Sequence, residues 1–136
     1  MDAAQALADL TEISSQIEAA VLFDEQGAVA GSTLVDVRAA EELARSAAKL
    51  LDDASAFRSS DAAVAQLEAS THEGSVFVVR DGARRIAATT GPSPTVGLVF
   101  YDLKSCLRGT AGEAGAEAAK PKSKPRRKKE PVDGEA

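Results

Sequence analysis

The first periodic pattern along the chain is helical. Ala3, Ala6, Leu7, Leu10 and Ile13 recur at helical spacing, and Asp2 with Gln5 three residues on supplies a capping-box start. Ser14 and Ser15 end the run. The stretch "AAVLF", residues 19–23, is apolar throughout. As a strand it places Ala19, Val21 and Phe23 on one face and Ala20 and Leu22 on the other. Burying a Val, Leu or Phe is worth roughly 1.5–3 kcal/mol each, so neither face belongs in water. That predicts a sheet with helices on both faces. "DEQG" follows, with Gly27 able to take the positive φ of a three- or four-residue hairpin loop. Asp24 and Glu25 are then polar turn residues. Paired acids at a hairpin tip stand in water, unlike the carboxylates of an active site. "AVAGS", residues 28–32, is the returning strand.

The second helix is the clearest element. Thr33-x-x-Asp36 can cap it, and its pattern runs to about Ala56. Arg38, Glu41, Glu42, Arg45, Lys49, Asp52 and Asp53 gather on one half of the helix. Val37, Ala39, Ala40, Leu43, Ala44, Ala47, Ala48, Leu50, Leu51 and Ala54 fill the other. This apolar arc is about 180° wide, whereas covering a core takes a stripe of roughly 100°. The surplus fits a second surface such as a partner subunit, with Ala40, Leu43, Ala44, Ala47, Leu50, Leu51 and Ala54 as its candidates. It equally fits alanine's preference for helices and its tolerance of water; the pattern leaves both open.

A three-strand meander comes next. "AAVAQLEAS" alternates loosely, "THEG" turns, and "SVFVV" is apolar on both faces. Asp81-Gly82 is a two-residue hairpin signal, after which "ARRIAATT" returns. In "GPSPTVGLVFYDLKSCLRG" valine and aromatics favour a strand, but Val96, Val99, Phe100, Leu103 and Leu107 have helical spacing. With Ser93 as N-cap, Pro94 at the first helical position and Gly109 as the stop, the segment is assigned as a helix.

Composition divides the 136 residues near Thr110. Residues 1–109 read as one globular domain, with nine Lys/Arg against sixteen Asp/Glu and a net charge of −7. Residues 110–136 contain no aromatic, one valine and three of the five prolines. Such a segment buries too little surface to offset the entropy of ordering, so a disordered Pro/Lys/Arg-rich tail is expected. Lys120, Lys122, Lys124, Arg126, Arg127, Lys128 and Lys129 form a basic run with no acid among them. Such a run is drawn to an anionic membrane, to nucleic acid or to the acidic domain itself, or serves only as a solubilising extension. No aromatic is present in it for base stacking. "MDAAQALADL" lacks the basic-then-apolar pattern of a leader, no apolar run is long enough for a bilayer, and the single Cys106 suits a reducing compartment. A cytoplasmic protein is expected.

Candidate chemistry is sparse. There is no GxxxxGK[ST] and no GxGxxG, and the prolines of "GPSPTVG" remove amides a phosphate would need. One histidine (His72, in a turn) and one cysteine give no metal-ligand set. Cys106 lies near Leu103 and Leu107 as a small core or boundary residue. Arg84 and Arg85 alternate across a strand, so one at most faces a given partner. No acid, base and nucleophile set assembles, so no catalytic residue, cofactor, metal or small-molecule substrate is expected.

The order helix, hairpin, helix, three-strand meander, helix resembles the roadblock/dynein light-chain superfamily, whose bacterial members include regulators of Ras-like GTPases. "IEAAVLFDEQGAVAGS" is similar to that family's opening hairpin, "HEGSVFVVRDG" to its central strand pair, and "TVGLVFYDLKSCL" to its closing helix. The likeness covers residues 1–108 and lies in order and spacing. It implies an α+β fold, a five-stranded antiparallel sheet with one helix on one face and two on the other. It also implies dimerisation through the second helix and the adjacent edge strand, and a non-enzymatic adaptor that binds a Ras-like small GTPase. The competing expectations are a scaffold for a signalling kinase or motor, and tail-driven binding to nucleic acid or membrane. Two features depart from the family: an alanine-rich core and the basic tail.

Overall fold

Every residue of β1 from Ala19 to Phe23 is buried, so both faces of the strand are covered. The computed structural model describes residues 2–57 and 64–119, with side chains as far as Thr110. The elements run α1 (Ala3–Ile13), β1 (Ile17–Phe23), β2 (Val29–Ser32), α2 (Val37–Ser55), β3 (Gln66–Thr71), β4 (Gly74–Asp81), β5 (Arg84–Thr90) and α3 (Val96–Ala119). The strands form one sheet in the order β2-β1-β5-β4-β3, with every neighbouring pair antiparallel.

Register assigns the side chains to two layers. Ala20 pairs with Ala88, Leu22 with Ile86, and Phe77 with Ala88, so these residues share one face. That face packs on α1 and α3 through Leu7, Leu10, Val99, Leu103 and Leu107. The Phe77 and Phe100 rings meet edge to face at 5.0 Å. Val21, Ala87 and Val78 line the opposite face, under Ala40, Ala44, Ala47 and Leu51 of α2. The two-and-one helix arrangement is therefore as expected.

Local chemistry explains the turns. Asp24 Oδ1 accepts from the amides of Gln26 and Ala28, both at 2.9 Å, while Gly27 takes φ +83°. Asp24 thus builds the β1–β2 turn. Gly74 opens β4 at φ +153°, and a Cβ there would run into the Thr90 carbonyl. Asp2 caps α1 through the Gln5 amide at 2.8 Å.

Four local expectations are corrected. Asp36 alone caps α2, accepting from the Arg38 amide, whereas Thr33 Oγ1 accepts from the Ala20 amide and extends the hairpin. Asp81 pairs with Arg84, so the two-residue β4–β5 loop is Gly82-Ala83, one position later than expected. Ser93 does not cap α3. It sits at φ +60°, Val99 bonds the Thr95 carbonyl, and the Thr95 amide is held by Gln16 Oε1. Nor does Gly109 stop α3, which continues to Ala119. Gly109, Gly112 and Gly115 each cost about 1 kcal/mol in the helix, while the five alanines among residues 111–119 favour it. The basic run from Lys120 to Lys129 lies outside the described residues.

Candidate functional site

The chemistry-bearing side chains do not converge. His72 is exposed in the β3–β4 turn. Arg84 and Arg85 point to opposite faces of β5, the first opposite Asp81 and the second opposite Arg80. Cys106 is buried, and its Sγ donates to the Ala6 carbonyl at 3.6 Å. Burial, with the Asp9 charge adding to it, pushes this thiol up to about 11, so it stays protonated at neutral pH. Glu68 on β3 accepts from the hydroxyls of Ser70 and Ser75, which hold its carboxyl below the usual range. Among the described residues no group of three or more His, Cys, Asp and Glu is placed to hold a metal ion.

What the fold does build is a surface around α2. The cap at Asp36 sets the helix entry, and the hairpin bonds between Thr33 and Ala20 bring it back over the sheet. Its seven candidate interface residues separate into two groups. Ala40, Ala44, Ala47 and Leu51 press on Val21, Phe23, Val78 and Ala87, and are covered from within. Leu43, Leu50 and Ala54 lie on one flank of the buried stripe and remain half-buried. Val37, at the start of the helix, is 69% exposed, and Val35 just before the cap is 99% exposed.

α2 lies over β2, β1 and β5. On the same sheet face, β4 and β3 present Val76, Leu67 and Ala69, all half-buried; Leu67 pairs with Val78 and Ala69 with Val76. β3 is also an edge of the sheet. This face therefore combines apolar side chains with a strand edge, a pairing suited to association with another chain. Leu67, Ala69 and Val76 were not singled out from the sequence. The alternation in "QLEAS" was visible, but which of its faces carries a helix depends on strand order.

No family model and no curated protein matches the chain. Solved structures do. A roadblock/LC7 domain from Streptomyces avermitilis is 18% identical with a TM-score of 0.76, covering 85% of this chain and 99% of that one. The gliding protein MglB of Thermus thermophilus is 16% identical with a TM-score of 0.70, covering 83% and 88%. Myxococcus xanthus MglB is 13% identical with a TM-score of 0.64, covering 83% and 92%. At this level of identity the likeness is one of architecture, and it agrees with the element order, sheet topology and helix placement found above. The chain has the fold of a roadblock/LC7 domain.

Proposed function

We propose that this chain is a non-enzymatic homodimer that binds a Ras-like small GTPase and regulates its activity or location. The observation that carries the reading is the partly covered face beside α2. Leu43, Leu50 and Ala54 are half-buried on one flank of α2, and Leu67, Ala69 and Val76, on the part of the sheet face that α2 does not lie over, are apolar and half-buried at or beside the edge strand β3. Two copies joined there extend the sheet across the two-fold and cover these side chains. The likeness in fold to MglB supports the GTPase as partner. The bound GTPase retains its own hydrolytic chemistry, while this chain supplies a docking platform.

The test is co-purification of the full chain with Ras-like GTPases encoded beside it, followed by GTP hydrolysis with and without this protein. A complex and a changed hydrolysis rate are the expected results. Failure to bind any candidate removes the reading. A complex with a signalling kinase or motor that leaves nucleotide turnover unchanged makes the protein a scaffold instead.

A further inference from the structure

α3 packs on the side of the sheet away from α2, and its outer face differs in charge from the rest of the domain. Leu98, Tyr101, Lys104 and Arg108 fall within an arc of about 120° at 100° per residue. All four are exposed, Leu98 at 50% and Tyr101 at 63%. Gly97 and Ser105, the other members of the arc, are small. The one acid between Val96 and Thr110 is Asp102, which is buried. Tyr101 stands with Ile13, itself 70% exposed, at a groove of about 300 Å³ between α1 and α3. Lys104 and Arg108 border a recess on the other flank of α3, with Arg80 beside them. Among the described residues neither forms an ion pair. The acids bordering these hollows besides Asp102 are Asp9, which accepts from Gln5 Nε2, and Asp81, which lies opposite Arg84.

We propose that this outer face of α3 rests on an anionic lipid surface. Residues 1–109 carry a net charge of −7, yet residues 80–109 hold five Lys/Arg against two Asp/Glu. An anionic surface repels the domain as a whole and attracts this part of it, which selects one orientation. Leu98 and Tyr101 enter the headgroup boundary, while Lys104 and Arg108 reach the lipid phosphates over their aliphatic stems. Tyrosine suits that depth, because its ring is apolar and its hydroxyl stays wet. From Leu98 to Arg108 the helix advances about 15 Å, so it lies along the surface. Among the described residues no helix is long and apolar enough to cross a membrane. The seven cations between Lys120 and Lys129 follow α3 in the sequence, with no acid among them. They supply the second attraction that stable attachment to a surface needs. The proposed dimer contact beside α2 uses the other side of the sheet. A GTPase that never binds would therefore leave the lipid contact standing.

Tyr101 is the only tyrosine and the chain has no tryptophan, so intrinsic fluorescence reports on this face alone. The test mixes the full chain, at low salt, with vesicles of phosphatidylglycerol and phosphatidylcholine in equal parts. Tyr101 is expected to lose most of its quenching by acrylamide and to be quenched instead by lipid brominated on the acyl chains. Lys104→Gln with Arg108→Gln is expected to weaken vesicle binding about thirtyfold, at roughly fivefold per cation. Absence of binding overturns the proposal. So does binding that leaves Tyr101 open to acrylamide and untouched by brominated lipid, since residues 120–129 alone would then hold the vesicle. Equal binding to vesicles of phosphatidylcholine alone also overturns it, by removing the cations from the contact. Protection of Tyr101 by polyglutamate but not by vesicles gives the face to an acidic protein instead.

Discussion

Cys106 is the only cysteine, and its thiol bonds the Ala6 carbonyl across the boundary between α1 and α3. Its pKa rises from an ordinary 9.0 to about 11 because burial disfavours the thiolate and Asp9 repels it. The folded state therefore holds this proton more tightly than the unfolded chain. The corresponding stability is complete below pH 9 and lost as pH rises through about 11. Two units correspond to about 2–3 kcal/mol. Urea unfolding of the wild type and of Cys106→Ala, compared at about pH 8 and about pH 11, should show the steeper loss in the wild type. Equal losses would mean that the thiol is open to water. The sequence alone marked Cys106 as a core or boundary residue from its helical spacing with Leu103 and Leu107. It gave no sign of Asp9, nearly a hundred residues away.

At the scale of elements, caps and turns follow from a few side chains, and their errors are instructive. Thr33 and Asp36 are both good cap residues, and local sequence does not separate them. The structure does, because Thr33 is drawn into the hairpin by the Ala20 amide and carbonyl. Asp36→Ala should cost about 1 kcal/mol and speed hydrogen exchange at the Arg38 amide in the first turn of α2. Thr33→Ala should leave that turn protected and expose the Ala20 amide instead. Reversed exchange patterns would return the cap to Thr33. The Gly109 stop failed for a related reason. A glycine ends a helix only when the residues beyond it prefer another conformation, and here five of the next ten are alanine, with Glu113 and Glu117 also good helix formers.

For the whole molecule, the decisive feature is how much of α2 its own sheet covers. Leu51 is buried against the sheet and Leu50, its neighbour in sequence, is half-buried on the flank. Leu51→Ala should cost roughly 2–5 kcal/mol as an ordinary core truncation, whatever the oligomeric state. Leu50→Arg should change the stability of the folded chain by no more than about 1 kcal/mol, yet convert a dimer to a monomer in sedimentation. A dimer that survives Leu50→Arg, and Leu67→Arg as well, would place the contact between copies elsewhere.

The sequence by itself determined the elements, their order and the two-sided burial of the central strands. Those properties are set by neighbours within a few residues: period, caps, and glycines at turns such as Gly27. Resemblance in that order and spacing was enough to name the architecture. Tertiary structure alone decided which residues of the wide apolar arc are core and which stay half-buried on its flank. It also placed Leu67, Ala69 and Val76 on the part of the sheet face that α2 does not lie over, and opened the groove between α1 and α3. The physical reason is that burial belongs to pairs of surfaces. Helical period fixes the direction of Leu50 and Leu51 relative to each other, but the strand order β2-β1-β5-β4-β3 fixes what each of them meets.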